Sequence, residues 1–436
     1  MSRKKGIFIA AGLVMLIALF GCPAPGGGTT RPIELISVSG SGTQGNGDSS
    51  RPSISSDGRY VAFESAASNL VANDTNGVVD IFVYDRQNAT LERVSVSNSG
   101  TEGDGASHNP SISADGRYVA FYSSATNLVA TDTNGKDDIF VYGRQSHTIE
   151  RVSVYSAGVQ ANDTSRDPTI SADGRYVAFA SAATNLVAND TNGFVDVFVR
   201  DRQAPTTERV SLGSSGNEAN GDSTLPSISG DGRYVAFVST ATNLVANDMN
   251  GFADIFVRDR QASGDTTRVS VDSDGTQADG DSDTPFISAD GRYVAFASAA
   301  TNLVGSDSNA AADIFVRDRQ AATTDRVSVS GSGAQSNGSS YEPSVSGDGR
   351  YVVFESDATN LVSGDNNGAR DIFEHDRQTG GTSRISLTSG GVEGNGDSSF
   401  AMVNGNGQYV VFSSSSSNLV SVDTNGFTDI FVAPVR

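Results

Sequence analysis

Tryptophan is absent from the 436 residues, cysteine occurs once, histidine three times and methionine four times. One cysteine excludes an intramolecular disulfide. The histidines, His108, His147 and His375, fall at unrelated places in the pattern described below, so they do not form a metal set. Cations are scarce: 30 Lys and Arg face 51 Asp and Glu, for a formal charge of −21. Such a chain is repelled by phosphate backbones, which excludes sequence-independent nucleic-acid binding. Lys136 precedes Asp137 and lacks the glycine spacing of a phosphate loop. Long apolar runs are also missing, since the longest, Gly6 to Phe20, is shorter than the roughly 20 residues that cross a bilayer.

Arg3, Lys4 and Lys5 precede that run, and together they read as a secretory signal. The run ends Leu19-Phe20-Gly21-Cys22, which resembles the bacterial lipoprotein signal, although Phe20 is an unusual occupant. The resemblance implies cleavage before Cys22 and acylation of that residue, and more than one chain gives durable anchoring. Pro23 rather than Asp after the cysteine implies outer-membrane sorting in a host with such a membrane. The expected segments are a signal at 1–21, a flexible tether at 22–32 and a folded domain at 33–436. Loss of the signal removes three cations and no acid, taking the charge from −21 to −24.

The remainder is one unit repeated. Asp57-Gly58-Arg59-Tyr60-Val61-Ala62-Phe63 recurs with its Asp at 115, 173, 231, 290 and 348, and as Asn406-Gly407-Gln408-Tyr409-Val410-Val411-Phe412, at intervals of 58 or 59. Asp80-Ile81-Phe82-Val83 recurs 23 residues after each of these, and Arg93-Val94-Ser95-Val96 recurs from Arg151, Arg209, Arg268, Arg326 and Arg384. Each unit predicts four strands: Pro52 to Ser55, Tyr60 to Ser65 after a tight Asp57-Gly58 turn, Asp80 to Tyr84, and Leu91 to Val96. The second and third are apolar at both alternating sets, as in strands buried on both faces.

Seven four-stranded units predict an all-β, seven-bladed β-propeller, with an open solenoid as the competing architecture. The last unit stops after its third strand, Asp429 to Val432, and Ile33-Glu34-Leu35-Ile36-Ser37-Val38 matches Leu91 to Val96. The N-terminal strand is therefore expected to complete the last blade and close the ring, hiding both sheet edges. The Asp-Gly-Arg-Tyr-Val-Ala-Phe word, preceded by Pro-Ser-Ile-Ser, resembles the repeat of TolB-like and Tricorn-like propellers. That resemblance covers the whole segment after the signal; it implies the fold, while such repeats serve many roles.

The long loops, about 66–79 and 97–109, share one end of each blade, which makes that end the expected binding face. Asn69 and its equivalents at 127, 185, 243, 302, 360 and 418 are expected to cap backbone groups there. Asp74-x-Asn76-Gly77-x-x-Asp80 resembles part of an Asp-rich calcium loop, with Ala72 where a further ligand would stand. The pattern recurs at Asp132, Asn134 and Asp138; Asp190, Asn192 and Asp196; Asp248, Asn250 and Asp254; Asp365, Asn367 and Asp371; and Asp423, Asn425 and Asp429. Asp307, Asn309 and Asp313 carry Ala310 in place of the glycine. Calcium is the cofactor these loops suggest, with Asp48, Asp222, Asp281 or Asp397 as extra carboxylates; the competing reading is an Asx turn bonded to its own backbone. Arg59 with Asp57 and Asp85 with Arg86 are expected to form weak ion pairs around the short-turn rim.

No catalytic residues emerge, because catalysis needs a singular constellation and this chain multiplies its polar residues sevenfold. Glu64 and Glu355 depart from small or apolar equivalents, and they are the acids a glycoside-cleaving alternative would use, although blade seven lies between them. The expectation is an exported, lipid-anchored monomer of the bacterial envelope that binds a protein or envelope polymer through its long-loop face, with a glycan-binding or glycan-hydrolysing propeller as the alternative.

Overall fold

A computed structural model describes residues 32–261 and 264–436. The signal, Cys22 and nearly all of the tether lie outside these residues. The described chain forms seven four-stranded antiparallel sheets with no helix. Blade one contains β2 (Ser49–Ile54), β3 (Tyr60–Ser65), β4 (Asp80–Asp85) and β5 (Thr90–Arg93), paired in that order from the inside outward. The next twenty strands repeat this order as five more blades. Blade seven consists of β26 (Ser398–Val403), β27 (Tyr409–Ser414), β28 (Asp429–Pro434) and β1 (Glu34–Leu35). Glu34 pairs with Val432 and Leu35 with Phe431, so both ends of the domain share one sheet and the ring is closed.

The middle strands follow the sequence closely. Val61, Phe63, Ile81, Phe82 and Val83 are all buried, as expected for strands covered on both faces. The core lies between blades: Ala62, Ile81 and Val83 of blade one pack with Ile112, Val119 and Phe121 of blade two. The last such layer joins Val411, Ile430 and Val432 to Ile54 and Phe63. Within each blade a Phe pair, Phe63 stacked on Phe82 at 5.9 Å between centroids in blade one, bridges the two middle strands.

Two boundaries differ from expectation. The inner strand begins at Ser49, not Pro52, because a bulge between Ser50 and Ser53 carries the ladder past a proline that cannot donate to it. The outer strand ends at Arg93, not Val96. There Ser95 Oγ accepts the Ile81 N–H at 3.1 Å, so a side chain replaces the backbone acceptor.

The short-turn rim is tied differently from the sequence reading. Arg59 forms a bidentate pair with Asp85 at 2.9 and 2.7 Å, while Asp57 accepts its backbone N–H. Blade two instead pairs Arg117 with Asp115, because Gly143 stands where Asp85, Asp201, Asp259, Asp318 and Asp376 stand in blades one and three to six. Arg86 reaches across to Glu34 of blade seven, as Arg144 does to Glu92. Tyr60 lies between Arg59 and Arg144, 4.7 and 4.2 Å from its ring, and packs on Gly116 of the next blade. A Cβ on Gly116 would meet that ring at 2.1 Å, and its φ of +70° already favours glycine.

Candidate functional site at the long-loop mouth

The Asp-rich loops of blades one to six each meet an arginine of the outer strand. In blade one, Arg93 Nη1 lies 3.1 Å from both Asp74 and Asp80. The same guanidinium bridge joins Arg151 to Asp132 and Asp138, Arg209 to Asp190 and Asp196, and Arg268 to Asp248 and Asp254. It also joins Arg326 to Asp307 and Asp313, and Arg384 to Asp365 and Asp371. Six blades thus carry a built-in cation on these carboxylates.

The remaining donors are engaged as well. Asn76 donates to Asp80 and accepts the Val78 N–H, and Asn134, Asn192, Asn250, Asn309 and Asn367 repeat its bond to the final Asp. Ala310 takes the left-handed conformation that glycine holds elsewhere, with φ +56°. Asp48, Asp222, Asp281 and Asp397 accept the N–H groups of Thr428, Val195, Ala253 and Arg370, so they cap the loop backbone. A calcium ion prefers six to eight oxygens, and no group of three or more His, Cys, Asp or Glu is arranged to hold a metal among the described residues. In six blades the donor set therefore fits a guanidinium and not calcium. Blade seven keeps Asp423, Asn425 and Asp429 but has no arginine in this place, because Leu35 occupies it.

The asparagines cap as expected. Asn69 Oδ1 accepts the Asn46 N–H and its amide donates to Gln44 O, clamping one long loop to the other. Repeated from blade to blade, these clamps form a collar at the long-loop end of the ring.

At the collar's centre the repeat breaks down. The residue before the inner-strand proline, or before Ala401 in blade seven, differs in all seven blades: Arg51, Asn109, Asp167, Leu225, Thr284, Glu342 and Phe400. All seven lie at the inner-strand bulge with φ between +47° and +54°, a costly conformation for non-glycine residues and more so before proline. Asn109, Asp167, Leu225, Thr284 and Glu342 line an axial cavity of 170 Å³. Arg51 stacks on the Phe400 ring at 4.6 Å.

Two neighbouring sets also vary, although each repeats a residue. Ser50, His108, Arg166, Thr224, Asp283, Tyr341 and Ser399 stand opposite Glu64, Tyr122, Ala180, Val238, Ala297, Glu355 and Ser413 across the first strand pair. By contrast, the cavity toward the short turns, 190 Å³, is lined by the repeated Ile54, Ile112, Ile170, Ile228 and Ile287.

Charges at the mouth are coupled. Glu64 accepts Ser50 Oγ at 2.9 Å and the Asn109 N–H at 2.8 Å, with His108 Nδ1 at 3.3 Å and Arg51 at 3.8 Å. Burial alone would raise its carboxyl, but His108, the Asn109 N–H and Ser50 hold it below the usual range. Glu355 accepts the Phe400 N–H at 3.0 Å and pairs with Arg370 at 3.0 Å, yet burial pushes it up. Burial also raises Asp167 and Glu342, the latter helped by Glu355. Glu64 and Glu355 thus each secure the bulge of the following blade. Tyr122 and Tyr341 add rings, each under an arginine: Arg166 at 5.8 Å and Arg370 at 4.7 Å. Blades four and five contribute Leu225, Val238, Thr284 and Ala297 together with Thr224 and Asp283, so the arginines and tyrosines are gathered on the other side of the mouth.

The sequence placed this surface at the long-loop end but did not single out these residues, apart from Glu64 and Glu355. The signal was present as the one column in which no two repeats agree. The three histidines are separate: His108 joins Glu64, His147 touches Tyr142 and His375 bonds Thr382.

No family model and no curated protein matches this chain. Solved structures do match, and TolB and trilobed-protease propellers are among the neighbours. The putative TolB from Agrobacterium tumefaciens is 17% identical, covering 82% of this chain and 98% of that one, with a TM-score of 0.43. Oligogalacturonate lyase from Vibrio parahaemolyticus is 13% identical over 94% and 98%, with a TM-score of 0.53. The propeller domain of the trilobed protease from Pyrococcus furiosus is 12% identical over 85% and 90%, with a TM-score of 0.52. Likeness at these identities is likeness of fold.

Proposed function

We propose that this propeller is a monomeric binding module whose ligand, a protein or envelope polymer, seats at the long-loop mouth of the axial channel. The observation that carries the reading is the ring of seven different residues, Arg51 to Phe400, held at seven equivalent strained bulges. Packing and folding ask the same of every blade, so they give no reason for this column to differ in all seven or for its two neighbours to vary with it. Contact with an asymmetric ligand does.

The test is affinity capture from an envelope extract by the intact chain, with partners identified by mass spectrometry. Arg51→Ala with Glu342→Gln should lose the partner at least tenfold, while Arg233→Ala on the short-turn rim should keep it. Loss on the rim variant alone would refute the choice of face.

A carbohydrate reading draws on the same mouth, where Arg51, Arg370, Tyr122 and Tyr341 offer acid-binding and stacking groups, and on the oligogalacturonate lyase among the neighbours. Retention of an anionic oligosaccharide, abolished by Arg51→Ala, would favour it, and turnover would make the protein an enzyme.

Anchoring rests on residues 1–22 alone. We place the domain outside the cytoplasmic membrane on a lipid at Cys22, with residues 22–32 as its tether. Cys22→Ser should move the chain from the membrane to the soluble fraction; unchanged fractionation would remove the anchor.

A further inference from the structure

Six blades satisfy their paired loop carboxylates with an arginine of the outer strand, and blade seven does not. Equivalence is fixed by strand register: Arg93 pairs with Phe82, Arg209 with Phe198 and Arg384 with Phe373, as Leu35 pairs with Phe431. Everything else in the loop is retained. Asn425 donates to Asp429 at 2.8 Å and accepts the Phe427 N–H, as in the other units.

The two acids are as buried as their counterparts, with Asp423 7% exposed and Asp429 fully enclosed. Among the described residues their hydrogen-bonded side-chain neighbours are neutral: Ser37 Oγ at 2.5 Å and Asn425 on Asp429, and the Gln44 amide at 3.4 Å on Asp423. Asp48 adds a third negative charge nearby, and burial raises both carboxyls above their usual range. Enclosed acids without a counter-charge are costly unless an opposite charge joins them.

A second observation is independent of the acids. An open cleft of 690 Å³ runs beside β1, lined by Leu35, Ile36, Gln44, Val420 and Val422. In blade three the matching cleft is lined by Val187, Asn189, Glu218 and Arg209, so there the arginine lies within it. Blade seven has the groove without the side chain, and Gln44 connects it to Asp423.

We propose that blade seven is a receptor for a guanidinium group, the side chain of an arginine on a partner polypeptide that lies along β1. The ligand class follows from the six internal precedents, in which the same two carboxylates hold a planar guanidinium at 2.9 to 3.5 Å. The site lies on the outer flank, apart from the axial mouth, and does not depend on the function assigned there. Because the outer strand β1 has two residues where its counterparts have three or four, its edge leaves room for an added segment.

The experiment uses the full chain and reads thermal melting and calorimetric binding. The probes are N-acetyl-L-arginine amide and an arginine-containing peptide, against the lysine amide, sodium chloride of equal ionic strength, and calcium chloride. Wild type should be stabilised by the arginine probes and much less by the lysine one. Leu35→Arg should restore the internal bridge, raise the melting temperature by about 1 to 3 °C and abolish the response. Arg209→Ala should open the same site in blade three and bind a second equivalent of the probe by calorimetry, which keeps the test decisive if Leu35→Arg fails to fold. Asp423→Asn should abolish it in wild type. Binding of the peptide but not the free amide would still support the site and assign it to polypeptides. Equal responses to arginine and sodium chloride, an undiminished response in Leu35→Arg, or protection by calcium alone would overturn the proposal.

Discussion

At the residue scale, the chain uses arginine where calcium was a reasonable expectation. Asp74, Asn76 and Asp80 stand at ligand-like spacing, but Arg93, thirteen residues beyond Asp80, supplies the positive charge. Ser95, in the same word, donates to Asp80 at 2.5 Å. Both words were visible in six units, yet no local rule says that the outer strand's arginine folds over the preceding loop. The acids elsewhere set the pH response. Asp201 and Asp318 are each held at about 2, foremost by the side-chain bonds of Arg175 and Arg292, against an ordinary value of 3.8. A folded value below the unfolded one gives stability that is present above about pH 4 and lost as pH falls toward about 2. Asp429 and Glu374 run the other way, lifted by burial to about 6 and about 7. Their contribution is present at low pH and lost as pH rises from about 4 through about 7. The urea midpoint should therefore be highest near about pH 5 and fall on both sides. Asp201→Asn should lessen the acid fall and Glu374→Gln the neutral one; a midpoint climbing steadily to about pH 8 would contradict the assignment.

At the element scale, the strands were legible where their pattern is local. Tyr60 to Ser65 follows from alternating apolar residues and the Asp57-Gly58 turn, in which Gly58 has φ +75° and donates to Ser55 O. The inner-strand bulge was not legible, because a left-handed Arg51 or Glu342 before proline contradicts local preference and is imposed by the collar around it. β1 shows how little pairing closes the ring: two residue pairs, the Ile36 N–H on Ile430 O at 2.8 Å, and two buried isoleucines, Ile33 and Ile36. Burial of those two side chains is worth about 3 to 6 kcal/mol. Deleting residues 33–38 should remove that amount, expose the edge of β28 and drive self-association, as measured by melting and light scattering. A monomer melting like wild type would mean that the ring closes without this strand.

At the scale of the whole molecule, the amino-acid sequence determined the number of blades, the order of strands within each and the face that carries the long loops. These follow from a period of 58 or 59 residues and from turn chemistry, both local properties repeated seven times. It also made composite closure of blade seven readable, through the match of Ile33–Val38 to Leu91–Val96. Tertiary structure alone decided which charges meet. Arg86 finds Glu34 across 52 residues, and Asn425 reaches Gly45 O across 380. It also decided that seven residues spread from 51 to 400 converge on one axis, and that the arginine missing from blade seven leaves two enclosed carboxylates. A repeat reports what its units share; the function proposed here lies where they differ, and those differences become neighbours only once the ring has closed.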